Sequence, residues 1–313
     1  MQLTSGFLAL ASVLTVVKGA TYSRTDRVAG EGFNDFFEYQ AIQDPTNGRV
    51  NYVDQATAQA QNLTYGHGDT FVLRADSTNV VAPGSRGRNS VRIRSRQTFT
   101  THVATFDIRH MPQGCGTWPA VWEVLEDGWP VGGETDIVEG VNDQGPNAAT
   151  LHTTSGCTMP ADTSQMTGTW KQLDCDWLVN GNAGCGVRMS NPNSYGPGFN
   201  ANGGGVYALE RTPREMKVWF FPRGTAPADI GSDSVNTDAW GTPAAYFPST
   251  QCDFGAKFAA HNIIINLTLC GDWAGAGNVY PASCPQSCIS NVDNNPGAFR
   301  EAFWDFASIN VYQ

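Results

Sequence analysis

Charge is scarce in this sequence. Only 15% of its 313 residues are Asp, Glu, Lys or Arg, and the basic ones are scarcest, 19 against 29 acidic, for a net charge of −10. Binding a phosphate backbone takes a surplus of Lys and Arg, so no nucleic-acid partner is expected. The same shortage argues against an anionic membrane surface. Beyond the N-terminus no stretch of 18 or more apolar residues occurs, so no membrane-spanning helix is expected. With 34 Gly and 17 Pro the chain has neither a collagen-like nor a low-complexity composition. Internal repeats, a Ser/Thr/Pro-rich linker and an appended binding module are all missing. What remains is a chain with 41% hydrophobic residues, enough for a large core, and one domain is expected over residues 20–313.

Residues 1–19 read as a secretory signal peptide. Phe7 to Val17 is an apolar run of 11 residues, long enough for an h-region and too short to cross a bilayer. Cleavage after Gly19 or after Ala20 fits the small residues there. The competing reading is a buried N-terminal helix. Eight cysteines, at 115, 157, 175, 185, 252, 270, 284 and 288, suit an exported chain with up to four disulfides, whose pairing the spacing does not reveal. Zinc is the rival reading, but no CxxC pair faces a second one at finger-like spacing. Two acceptor sequons stand at Asn62-Leu63-Thr64 and Asn266-Leu267-Thr268. The second follows Ile263-Ile264-Ile265, so burial could leave it unmodified.

Short β-type segments recur between turn residues: Phe71–Arg74, Ser90–Arg94, His102–Ile108, Ala149–Thr153, Lys217–Phe221 and Asn262–Leu269. Val91 and Ile93 alternate with Arg92 and Arg94, the mark of a strand with one wet face. The best helical candidate is Ala298–Phe306, with Phe299, Phe303 and Phe306 spaced by 4 and 3 after an Asn295-Pro296 start. A last strand is expected over Ile309–Tyr312, and long loops from Pro160 to Asn202. Many short strands imply an all-β sandwich, jelly roll or barrel.

The most informative segment is Gly133-Glu134-Thr135-Asp136-Ile137-Val138-Glu139-Gly140. Three acids in six residues are unusual where charge is so sparse, and Thr, Ile and Val make the segment a strand. Glu134 and Asp136 then share a face. Glu139 lies an odd number of residues away and should face oppositely, unless a β-bulge near Ile137-Val138 restores it. With that bulge the Cα atoms of Glu134 and Glu139 would lie about 13 Å apart along the strand. Side chains leaning together by roughly 4 Å each would leave a carboxyl gap of about 5 Å, the spacing of a retaining glycosidase. Asp136 between them would raise its neighbours' pKa and could hold a proton in a hydrogen bond to the nucleophile. A solvated acidic face, a calcium site and an accidental cluster are the competing readings.

Trp118, Trp122 and Trp129 come just before these acids. Pyranose rings pack their C–H faces on flat aromatic surfaces, so indoles beside paired carboxylates suit a sugar polymer. The alternative is that they are core residues.

The stretch from Glu134 to Glu139 resembles the E-x-D-x-x-E signature of glycoside hydrolase family 16, in its β-bulge subtype. Gly114–Ala120, Thr150–Thr153, Val218–Arg223 and Cys270–Gly275 resemble secreted fungal endo-1,3(4)-β-glucanases of laminarinase type. The resemblance covers nearly the whole chain after the leader. It implies a β-jelly roll of two curved antiparallel sheets with the substrate crossing the concave face. It further implies Glu134 as nucleophile, Asp136 as assisting carboxylate, Glu139 as general acid/base, and Trp118, Trp122, Trp129, His152 and Trp273 as cleft residues. For His152 a purely structural role is the alternative. Thr135 departs from the usual Ile or Leu, and its side chain should point away from the cleft. A retaining endo-β-1,3(4)-glucanase is thus expected, secreted, monomeric and without cofactor, although some relatives carry a structural calcium. A wall-glucan transglycosylase and a non-catalytic glucan-binding protein are the alternatives.

Overall fold

The computed structural model describes residues 20–313; the signal peptide expected over 1–19 lies outside the described residues. Two antiparallel sheets face each other. One has eight strands, in the order Thr169–Trp170, Cys185–Arg188, Ala148–His152, Glu134–Glu139, Thr117–Val124, Asn262–Leu269, Arg92–Ser95 and Phe37–Tyr39. The other has nine, built around Phe303–Tyr312, His102–His110, Gly205–Arg211 and Glu215–Pro222. A short parallel pair, Val50–Tyr52 with Arg88–Ser90, completes the pattern. The architecture is the jelly roll.

Period-two alternation explains which face each strand buries. In Asn262–Leu269 the odd residues Ile263, Ile265, Leu267 and Leu269 enter the core between the sheets. The even residues Asn262, Ile264, Asn266 and Thr268 turn to the opposite face, where they too are covered. Val121, Ile137, Val138 and Leu151 meet Phe106, Leu209 and Val218 of the other sheet in the same core. Each of these fully buried side chains contributes roughly 1.5–3 kcal/mol.

Three expectations need correction. Ala298–Phe306 is not a helix: a 3-10 turn covers Pro296–Phe299 and a ten-residue strand follows over Phe303–Tyr312. From Phe303 onward the burial period is two, with Trp304 and Phe306 fully buried and Phe303 and Asp305 partly open. Pairing with His102–His110 outweighs the local 4-and-3 spacing, and a register shift between Phe306 and Ser308 lets Ile309 and Val311 return to the core. Second, the strand at 90–94 breaks at Val91, and its arginine face is wet only at Arg94, whose side chain is 31% exposed. Arg92 is 3% exposed, under a network of Glu126, Gln40 and Arg94. Third, the stretch from Pro160 to Asn202 holds two short strands and the helix Gly196–Ala201 besides its loops.

All eight cysteines pair: Cys115–Cys284, Cys157–Cys252, Cys175–Cys185 and Cys270–Cys288. Two of these bridges run to one short segment, Cys284–Cys288, from points three residues before Trp118 and three before Trp273.

Candidate active site

The carboxylate strand, Glu134–Glu139, lies at the middle of the eight-stranded sheet. Its register against Thr117–Val124 decides which way each acid points. Glu134 pairs with Val124, Thr135 with Glu123 and Asp136 with Trp122, after which Val138 pairs with Val121 and Glu139 with Ala120. Ile137 is therefore the extra residue of a β-bulge. Ala120 and Trp122 share a face, so Glu139 rejoins Glu134 and Asp136 on the open side. Thr135 points the other way, as expected, into the core against Met216.

Both ends of the strand are pinned. Gly133 has φ +73°, and a Cβ there would meet the Lys257 carbonyl at 2.6 Å. At Gly140 a Cβ would meet the Tyr195 ring at 2.6 Å. The carbonyl of Gly132 accepts from the Ala259 amide at 3.0 Å and lies 2.7 Å from His261 Nε2.

The open face brings the expected residues together. Trp118 donates its indole N–H to Glu139 Oε1 at 2.8 Å. Trp273 stands edge-on to Trp118, ring centroids 5.5 Å apart. Trp122 donates to Asn266 Oδ1 at 2.8 Å, and the Arg92 guanidinium lies 4.9 Å from its ring centroid. Trp129 lies at the Glu134 end, edge-on to Trp177 at 5.2 Å. His152 comes from the neighbouring strand, directly opposite Glu134. Its Nε2 is 3.4 Å from Asp136 Oδ2 and 4.0 Å from Glu134 Oε1. Its Nδ1 lies 3.0 Å from the Asn182 side-chain oxygen and donates to it, which leaves Nε2 as the free face toward Asp136. Glu134, Asp136 and His152 offer oxygen and nitrogen atoms all within 4.8 Å of one another.

Burial and crowding push all three acids above the usual carboxylate range. Glu134 is pushed up to about 8, chiefly by desolvation and then by the charges of Asp136 and Glu139. Desolvation raises Asp136 to about 8 as well. Glu139 rises to about 7 through desolvation and the Asp136 charge, against the pull of the Trp118 hydrogen bond, His152 and Lys171. The Asp136 charge acts on both Glu134 and Glu139, which links the titration of the three acids. Such displaced acids in an open, indole-lined surface mark an acid–base site.

Several participants gave no sequence signal. Asn182 and Trp177 sit in a loop, and nothing in their spacing ties them to the acids. Asn147 is fully buried and its side-chain amide bonds the bulge itself. A lone asparagine in a Gly-Pro-Asn run has no periodicity to betray it. The two sequons also separate. Asn62 is exposed, at φ +54° beyond a helix end. Asn266 is 6% exposed; its oxygen accepts from Trp122 and its nitrogen donates to Tyr52, so its amide is not open in the folded chain.

This surface gathers three acids on a bulged strand floored by indoles, on a jelly roll, and the chain belongs to glycoside hydrolase family 16. Residues 37–312 match the family described as "XgeA-like, catalytic GH16 domain". Within that family it falls among the endo-1,3(4)-β-glucanases and laminarinases. A probable endo-1,3(4)-β-glucanase of Aspergillus fumigatus is 40% identical over 323 residues, covering 100% of this chain and 48% of that protein. The chain thus spans about half the length of this relative. Laminarinase 16A from Phanerochaete chrysosporium, solved with 6-O-glucosyl-laminaritriose in donor and acceptor sites, is 60% identical with a TM-score of 0.92, covering 94% of this chain and 100% of that one. An elongating family 16 β-1,3-glucosyltransferase is 39% identical with a TM-score of 0.87, covering 93% and 100%.

Proposed function

We propose that this chain is a secreted endo-β-1,3(4)-glucanase that cleaves laminarin-type and mixed-linkage β-glucans with retention of configuration. The observation that carries this is the Ile137 bulge, which returns Glu139 to the face of Glu134 and Asp136. In the first step a Glu134 carboxylate oxygen attacks the anomeric carbon while Glu139 gives its proton to the departing glycosidic oxygen. The C1–O bond to the leaving chain breaks and a glycosyl ester on Glu134 forms. In the second step Glu139, now ionised, takes a proton from water, whose oxygen attacks the same carbon and releases Glu134. Asp136, next to His152, supplies or withdraws a proton as the charge on Glu134 changes. Every group required is a side chain, so the reaction needs no cofactor. Four disulfides suit an oxidising compartment, and among the described residues no helix is long and apolar enough to cross a membrane.

The test pairs stereochemistry with a substitution. NMR of the products, read before mutarotation, should show the β-anomer first. Glu134→Gln should fold and lose at least about 10³-fold in kcat on laminarin; early α-product or a fully active variant removes the reading.

A second reading, transfer of the glycosyl group to another glucan, has one observation behind it. The Trp118–Trp273 corner stands beside Glu139, on the side where the leaving chain departs and an acceptor sugar would bind. Products longer than the donor would favour it.

A further inference from the structure

Asn147 occupies a position that neither platform nor acid explains. Its carboxamide Oδ1 accepts from the backbone N–H of Glu139 at 2.9 Å, and its Nδ2 donates to the backbone carbonyl of Ile137 at 2.9 Å. Those two backbone groups belong to the bulge. On that edge the carboxylate strand pairs with Ala148–His152 only as far as Asp136, so beyond it the strand has no ladder partner. A primary amide presents one carbonyl and one N–H donor side by side, as a peptide unit does. Asn147 therefore stands in for the missing strand residue and closes the ladder across the irregularity. It is itself held, since its backbone N–H donates to Ser194 Oγ at 3.0 Å and its carbonyl accepts from the Met189 amide at 2.9 Å. Ser194 Oγ donates in turn to the Asn191 carbonyl at 2.7 Å. Nothing in this group touches the open face; Asn147 and Ser194 are both fully buried.

We infer that Asn147 is a positioning residue for the acid/base: by clamping the bulge at Ile137 and Glu139 it fixes the direction in which the Glu139 carboxyl leaves the sheet. Glu134 and Asp136 precede the bulge and keep their own ladder on both sides. The clamp therefore acts on proton delivery and not on nucleophilic attack. This inference rests on the retaining glycosidase reading of the same site.

Leaving-group dependence separates the two halves of the chemistry. Laminarin needs its departing oxygen protonated, whereas 2,4-dinitrophenyl β-laminaribioside has a leaving group that departs without acid help. Asn147→Ala should lower kcat/KM on laminarin about 10²-fold, the scale of a displaced general acid. The first-turnover release of dinitrophenolate should stay within about threefold of the unaltered enzyme. Sodium azide should restore turnover of the activated glycoside. It attacks C1 of the glycosyl-enzyme, the ester bond to Glu134 breaks, and a β-glycosyl azide forms with no proton required. Equal losses on both substrates, or no response to azide, would overturn the inference. A merely structural asparagine would lower the melting temperature without splitting the two substrates. Should Asn147→Ala fail to fold, Ser194→Ala loosens the same residue from behind and should split the substrates in the same sense, more weakly; equal effects there overturn it as well. The anomer first released by the unaltered enzyme tests retention separately. Early α-product removes the mechanistic reading, whereas β-product with equal losses removes only the role of Asn147.

Discussion

Trp118 and Glu139 are joined by a 2.8 Å hydrogen bond from the indole N–H to Oε1. On the proposed mechanism one side chain would thus be both a flat surface for a sugar ring and a partner of the proton donor. A donor aimed at a carboxylate favours its charged form, so this bond works against the burial that raises Glu139.

Replacing Trp118 with Phe keeps an aromatic surface and removes the N–H. The Glu139 pKa should rise, and the basic limb of the kcat/KM pH profile should move upward by about one unit, the scale of one hydrogen bond to a charged group. A profile recorded on laminarin from pH 4 to 9 checks this; an unmoved basic limb removes Glu139 as the group that sets it.

Asp136→Asn acts in the opposite direction. The Asp136 charge penalises ionisation of both neighbours, so removing it should let Glu139 lose its proton more easily and shift the basic limb downward. The kcat on laminarin should fall by at least about tenfold, because the remaining amide cannot exchange a proton beside Glu134.

The same cluster makes stability depend on pH. Glu134 and Asp136 have folded pKa values raised to about 8, above their unfolded values. Their contribution is fully present below the ordinary carboxylate range and is lost as pH rises through about 8. Glu134→Gln should therefore melt at least about 2 °C above the parent at pH 8 and close to it at pH 4. Differential scanning calorimetry at the two values decides; a variant that melts lower at pH 8 contradicts the assigned direction.

The Cys175–Cys185 bridge closes a short loop carrying Trp177 and Asn182, which back Trp129 and His152. Replacing both cysteines with Ser should lower stability by about 3 kcal/mol, the chain-entropy scale for a loop of this length. KM on laminarin should rise more than kcat falls, because on the proposed reading the loop would steady the edge of the face that holds the sugar. Denaturant titration and initial rates measure the two effects.

Much of this was written in the sequence. Asn262–Leu269 was legible as a strand from its β-branched run, and strand parity marked Glu139 as an acid that only a bulge could return to the face of Glu134. The Ala298–Phe306 segment failed because its phenylalanines satisfy two periods at once, and only pairing with a strand nearly 200 residues away chooses between them. Arg92 is expected to be solvated because charge beside apolar residues usually is; Glu126, distant in sequence, pairs with it and helps to bury it, whereas Arg94 pairs with Glu38 and Glu126 and stays partly exposed. Asn147 and Asn182 escaped for a related reason. Each acts through a single side-chain amide on a distant strand or ring, and one polar residue leaves no pattern.

Cys115–Cys284 and Cys270–Cys288 tether the approaches to Trp118 and Trp273 to the same five-residue segment. The backbones that carry the two indoles meeting at that end of the open face therefore share one covalent anchor. Their edge-on contact leaves no gap between the rings, so the pair presents one continuous aromatic corner, fastened from behind by a single short segment.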